Sequence, residues 1–179
     1  GGSSAINAMI YIRGHRFDYD QWASLGATGW SYDECLPYFK KAEGNVRGGD
    51  DFHGGEGPLT VSDQRWPNPA SVRFVESAAA LQLPHNVDFN GAKQDGFGLY
   101  QVTQKNGERW SAARAYVEPH LATRKNLQVF TGAHTTRILM EGKRAVGVEV
   151  RIGGQTQQFQ ARREVLLCAG AFQSPQLLM

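Results

Sequence analysis

Apolar and polar positions follow two rhythms along this chain. Through about residue 125 the apolar residues recur at helical spacing between loops, and beyond it they fall on every second position, the period of a strand. Ala5 to Ile12, rich in Ala and Met, predicts one or two helical turns leading into the polar Arg13-Gly14-His15-Arg16. Ser31 and Glu34 have the spacing of a capping box, and Cys35, Leu36, Phe39 and Ala42 continue at helical intervals. Pro37 is expected to break that pattern into a short first turn and a fresh helix over Pro37 to Glu43. Residues 44–57 are loop by composition. Asn68-Pro69 predicts a capped helix through Val72, Val75 and Ala79 to about Gln82, closed before Pro84.

Looser alternation at Phe97, Leu99 and Val102 predicts a strand over Gly96 to Gln104, and Ser111 caps a helix that Pro119 interrupts. A meander follows: Leu127 to Thr131, Thr135 to Met140, a turn at Glu141-Gly142-Lys143, then Ala145 to Ile152 with Val146, Val148, Val150 and Ile152 on one face. Gly153-Gly154 turns the chain into Gln155 to Ala161. The continuously apolar Val165-Leu166-Leu167-Cys168 predicts a strand buried on both faces, and Ser174-Pro175 predicts a helix start.

The chain has 179 residues, 41% of them hydrophobic and 20% charged, which excludes a disordered tail or a coiled coil. A net charge of +2 with scattered basic residues gives no phosphate-tracking stripe, so nucleic acid is not expected as a partner. No transmembrane segment and no secretory signal is evident, and the expectation is a soluble, cytoplasmic protein. Cys35 and Cys168 are expected to remain free, with Cys168 a small hydrophobe in its apolar run. The chain opens in a small-residue loop and stops just after a helix start, so it is expected to be an internal segment of a longer polypeptide.

Most catalytic motifs are absent. There is no G-x-G-x-x-G, phosphate-loop lysine, H-E-x-x-H or C-x-x-C, and hence no metal site. His53-Gly54-Gly55 has the look of an esterase oxyanion loop, but no G-x-S-x-G accompanies it. His15, His85, His120 and His134 lack orienting partners in sequence, and Trp110 and Tyr116 beside Arg109 and Arg114 are either packing aromatics or ligand-stacking ones. Two glycine turns remain as candidates for a backbone cradle: Gly1-Gly2-Ser3-Ser4, and Ala169-Gly170-Ala171 ahead of a helix.

Four segments add a resemblance. Gly1 to Gly14 and Gly170 to Leu178 resemble the first signature and the start of the second signature of the glucose-methanol-choline (GMC) oxidoreductases. Gly107-Glu108-Arg109-Trp110-Ser111-Ala112-Ala113-Arg114 and Arg144-Ala145-Val146-Gly147-Val148-Glu149 match between them in the same order. The likeness covers the whole chain and is greatest to the choline dehydrogenase and alcohol dehydrogenase branch.

The resemblance implies a mixed α/β fold, part of an FAD-binding doubly wound domain plus part of an α+β substrate domain. Residues 1–45 would be the flavin-contacting segment with its first helices, 46–125 part of the substrate domain, and 126–179 the meander, buried strand and helix start of the FAD domain. It implies FAD as cofactor and a small-molecule alcohol as substrate, oxidised to an aldehyde or ketone by hydride transfer to flavin. The cofactor-binding residues it implies are Gly1, Gly2, Ser3, Asn7, Ala8, Met9 and Ile10 at the flavin, Thr135 at the adenine, and Ala169 and Gly170 at the diphosphate and ribityl chain. Family members that bind flavin covalently through this loop carry His where this chain has Ile6, so FAD is expected to be noncovalent. No catalytic residue is assigned: the family's His base lies beyond Met179, and the segment alone is expected to be inactive. The alternative is a stand-alone binding or scaffold module without redox chemistry.

Overall fold

A computed structural model describes residues 2–179, which divide into two compact units, Gly1–Lys125 and Asn126–Met179, with Gly1 itself outside the described residues.

The first unit opens with a 3-10 turn at Ser3–Ala5 and an extended run rather than the helix expected over Ala5 to Ile12. Pairing overrides helix propensity there: Ile10 bridges Val102, with the Tyr11 N–H donating to the Gln101 carbonyl at 2.9 Å. Helix α1, Arg16–Ser24, has His15 as its N-cap, the imidazole accepting from the Phe17 N–H and the Asp18 carboxylate accepting from the His15 N–H. Histidine is not among the common capping residues, which is why sequence reading passed over this helix.

Helix α2, Tyr32–Ala42, begins at the expected Ser31/Glu34 box but runs straight through Pro37. Pro37 is the sixth helical residue and removes only the bond to the Asp33 carbonyl, on an exposed face open to solvent. The chain then forms β1, Glu43–Asn45, which runs into the stretch 44–57 expected as loop, in parallel register with β2, Leu59–Val61, just beyond that stretch. Helix α3, Pro69–Ala80, is capped by the Asn68 side chain as expected, and its inner face is Val72, Val75 and Ala78.

Gly96 to Gln104 is not a regular strand but an extended run held by bridges at Phe97 and Val102. It ends in a hairpin of β3, Gln104–Lys105, and β4, Glu108–Arg109, turned by Asn106 and Gly107 at φ 54 and 83. Pro119 does not interrupt the next helical run: a π-helical stretch, Ala113–Val117, leads directly into α4, Glu118–Leu121. The widened turn lies just ahead of the residue that has no N–H to donate.

The second unit contains the meander β5-β6-β7: Ala133–Glu141, Arg144–Ile152 and Gln155–Gln160, all antiparallel. Gly142 at φ 59 and Gly153-Gly154 at φ 57 and 82 make its turns, and Val150 is buried at its centre. Leu127 to Thr131 forms no strand. Neither does Val165 to Cys168, whose half-buried Val165 and Leu167 alternate with exposed Leu166 and Cys168 because no described segment pairs with it. Cys168 is therefore exposed rather than enclosed, and both cysteines are free. Helix α5, Gly170–Leu178, starts before the expected Ser174 cap; Ala169 occupies the cap position, and the Ser174 hydroxyl accepts from the Ala169 N–H at 3.1 Å. Pro175, again sixth in its helix, lies inside it.

Candidate functional site

Ser3, Asn7, Ala8, Met9 and Ile10 lie in one exposed loop whose shape is set by a few polar bonds. Asn7 Oδ1 accepts from the Met9 N–H at 3.0 Å, which holds Met9 at φ 63, a backbone conformation costing a non-glycine residue about 1–2 kcal/mol. The Met9 carbonyl in turn accepts from the Thr103 N–H at 2.8 Å. Arg109, on β4, donates from Nη1 to the Ser4 carbonyl at 3.1 Å and to Asn7 Oδ1 at 2.9 Å, and the Ala112 N–H donates to Ser4 Oγ. Arg109 thus clamps the loop at its start and its middle, and Thr103 holds its far end.

Three donors of the clamped loop stay unused. The N–H groups of Ala8 and Ile10 and the Nδ2 of Asn7 make no hydrogen bond among the described residues. Gly2, at φ 62, borders open space where a Cβ would meet nothing. Ala8, Met9 and Ile10 line a cavity of about 420 Å³ together with Arg65 and Trp66. A row of free donors on a rigid loop beside a cavity fits an electron-rich ring edge, where oriented dipoles stabilise negative charge.

The far end of this segment is anchored in a buried polar network. Arg13 Nη2 donates to Glu43 Oε2 at 2.6 Å, and Arg13 Nη1 donates to the Phe52 carbonyl at 2.8 Å. Asn90 Oδ1 accepts from the Arg13 N–H, and Asn90 Nδ2 donates to the Tyr11 carbonyl. His53 faces Glu43 Oε1 from Nδ1 at 2.9 Å and Asp88 Oδ2 from Nε2 at 3.0 Å. Both ring nitrogens thus address carboxylates, an arrangement satisfied when both carry a proton. The Glu43 hydrogen bond raises the His53 pKa, burial opposes it, and Asp88 adds to the rise. Burial alone would raise the Glu43 carboxyl, but hydrogen bonds from His53 and Asn45 and the Arg13 charge outweigh it and hold it low. Burial and the Glu43 charge push the Tyr11 phenol up.

This network explains His53-Gly54-Gly55 without an oxyanion loop. A Cβ on Gly54 would lie 1.8 Å from the Lys40 carbonyl oxygen, so the glycine lets the loop lie against the end of α2 and carry His53 to Glu43. The other histidines lie elsewhere: His15 caps α1, His85 is bridged to Phe97, His120 lies in α4 and His134 in β5. Trp110 packs rather than waits for a ligand, its Nε1 donating to the Pro58 carbonyl and Lys105 Nζ lying 4.6 Å from its ring centroid.

In the second unit, Thr135 and Ala169 line one cavity of about 720 Å³, walled by Val148, Val165, Leu167 and Leu177. That volume lies within the range of small-molecule sites. Thr135 pairs with Val150 on the edge strand β5, just before a register shift at residue 136. Gly170, at φ 94, turns the chain from Ala169 into α5, and a Cβ there would meet only Gln173 Oε1 at 3.9 Å. An apolar slot bordered by an edge strand and an open glycine turn suits a flat heteroaromatic group with a charged tail.

Sequence reading thus collected the loop residues and the pair Thr135 and Ala169, but missed Arg109 as a clamp and the Arg13–Glu43–His53 network. The Asn106-Gly107 dipeptide signals the hairpin that carries Arg109. No local signal marks the network, because its partners come from segments far apart in the chain.

The sequence model of the family described as GMC oxidoreductase matches residues 1–179. Mitochondrial choline dehydrogenase of Homo sapiens is 46% identical over 179 residues, covering 100% of this chain and 30% of that protein. The oxygen-dependent choline dehydrogenase of Brucella anthropi is 45% identical over 179 residues, covering 100% of this chain and 32% of that protein. Among solved structures, pyridoxine 4-oxidase from Mesorbium loti superimposes with a TM-score of 0.91 at 35% identity, covering 99% of this chain and 35% of the other. The chain therefore spans about a third of the length of these relatives. Nothing in these comparisons supports a stand-alone scaffold.

Proposed function

The chain belongs to the GMC oxidoreductase family, and on that premise we propose that it is the flavin-facing part of an FAD-dependent enzyme that oxidises a small-molecule alcohol to an aldehyde or ketone. Residues 1–45 and 126–179 belong in this reading to the FAD domain and 46–125 to the substrate domain. The observation that carries it is the clamped Ser3–Ile10 loop with its unused Ala8, Ile10 and Asn7 donors. FAD, when bound, supplies the hydride acceptor. The loop donors stabilise negative charge at the ring edge, and Arg109 and Thr103 keep them from reorganising. Thr135, Ala169 and Gly170 border the slot for the adenine and diphosphate side. This reading assigns the substrate proton to no histidine of this chain; both ring nitrogens of the buried His53 are already engaged by Glu43 and Asp88.

Choline is the first alcohol to test, since both choline dehydrogenases above share 45–46% identity with this chain. Anaerobic addition of choline to the purified full-length protein should bleach the oxidised flavin absorbance. A full-length protein that carries no flavin, or whose flavin survives choline and a panel of aliphatic and aryl alcohols, would overturn the proposal.

A further inference from the structure

The Asn7 amide is held in one orientation only. Its Oδ1 meets two donors, Arg109 Nη1 at 2.9 Å and the Met9 N–H at 3.0 Å, so an NH2 group in that place would face donors on both sides. The flip is excluded, and Nδ2 is left without a partner among the described residues. Met9 alone does not fix this, because its N–H belongs to the same loop as Asn7. Arg109 comes from a segment 102 residues away and is braced independently: β3 and β4 pair, and the Trp110 N–H donates to the Thr103 carbonyl at 2.9 Å. The same Nη1 reaches the Ser4 carbonyl at 3.1 Å, tying the start of the loop to its middle.

From this geometry, and resting on the reading of Ser3–Ile10 as the flavin-facing loop, we propose that Arg109 is a positioning residue. It orients the Asn7 amide so that Nδ2 donates toward the flavin, and its charge polarises that amide. A guanidinium suits the task. It stays charged over the working pH range, and its planar fork places two donor hydrogens of one nitrogen on two acceptors, which a lysine stem does not reproduce. Polarisation through Asn7 strengthens the Nδ2 donor, so the effect reaches the flavin without Arg109 touching it.

The test compares full-length holoenzymes carrying Arg109→Leu, Arg109→Lys, Asn7→Ala and the Arg109→Leu/Asn7→Ala pair, with Arg73→Leu as a surface control. Among the described residues the Arg73 side chain pairs only with Glu76 on the exposed face of α3. The readouts are FAD per protein, the visible flavin spectrum, the flavin midpoint potential and the division of any loss between kcat and KM. Arg109→Leu and Asn7→Ala should shift the spectrum alike and move the potential in the same, more negative direction. Each should lower kcat by about 10- to 100-fold, the size expected for a small misplacement of a reacting pair, with little change in KM. The pair should be no worse than either single change, because both remove one interaction. Should Arg109→Leu fail to fold, Arg109→Lys carries the test with the same shifts at smaller size. A wild-type spectrum and potential in a folded Arg109 variant, or additive effects in the pair, would overturn the role of Arg109. An Asn7→Ala enzyme with unchanged flavin properties would instead overturn the flavin-facing reading of the loop.

Discussion

Arg13 and Glu43 meet at 2.6 Å inside the first unit with side-chain exposures of 3% and 0%. The carboxylate is saturated, taking bonds from Arg13, His53 and Asn45. The guanidinium also lies 5.1 Å from the Phe39 ring centroid. Arg13 closes the segment that begins with the clamped loop, so the pair ties that segment to β1 and the His53 turn.

Removing one partner strands the other charge in the interior. Glu43→Leu should cost about 3–5 kcal/mol in urea unfolding of the full-length protein, the usual penalty for breaking a buried pair from one side. Combining it with Arg13→Met should recover part of that loss. A single-variant cost below about 1 kcal/mol would mean that water or a neighbour compensates the charge.

Stability should respond to pH at both edges of a window set by the same groups. Glu43 is held below its ordinary value of 4.5, so its contribution is present above that value and is lost as pH falls through the lowered one. His53 is held above its ordinary value of 6.5, so its contribution is complete below 6.5 and is lost as pH rises through the raised value. These two groups together favour the folded unit most between about pH 4.5 and 6.5. His53→Gln should flatten the alkaline arm of a melting-temperature profile and leave the acid arm; an unaltered alkaline arm would contradict the doubly protonated assignment.

Gly54→Ala and Gly142→Ala separate two uses of glycine. The Gly54 Cβ would collide with the Lys40 carbonyl at 1.8 Å, backbone on backbone, and the variant should not accumulate as folded protein. Gly142, at φ 59 with open space around it, should cost only the left-handed penalty of about 1–2 kcal/mol. Soluble expression followed by thermal melting distinguishes them.

Acid precipitation of the full-length protein should leave its flavin in the supernatant. Ile6 is 85% exposed on the loop and has no atom able to form a bond to the isoalloxazine ring. Yellow colour retained in the washed pellet would point to attachment at another residue.

Much of the helical and hairpin framework follows from short-range chemistry and is legible without coordinates. The Ser31/Glu34 box, the Asn68 cap with Pro69, and the glycine turns of the meander each satisfy or free backbone groups within a few residues. Pro37, Pro119 and Pro175 all lie inside helical runs, because losing one hydrogen bond is tolerable where an exposed carbonyl or a widened turn absorbs it.

What the sequence by itself determined is the family, the periodicities and the candidate loop, because these are written in contiguous residues. Tertiary structure decided what those residues do. Ala5 to Ile12 is not the expected helix because residues 101–103 pair with Met9 to Tyr11, and Val165 to Cys168 is no strand because nothing described pairs with it. The Asn7 amide is oriented by an arginine 102 positions later, and the buried charges of Arg13, Glu43 and His53 are tolerable only because the fold gathers them. A side chain's conformational preference is local, but the partner that satisfies a hydrogen bond or a charge is chosen by the path of the whole chain.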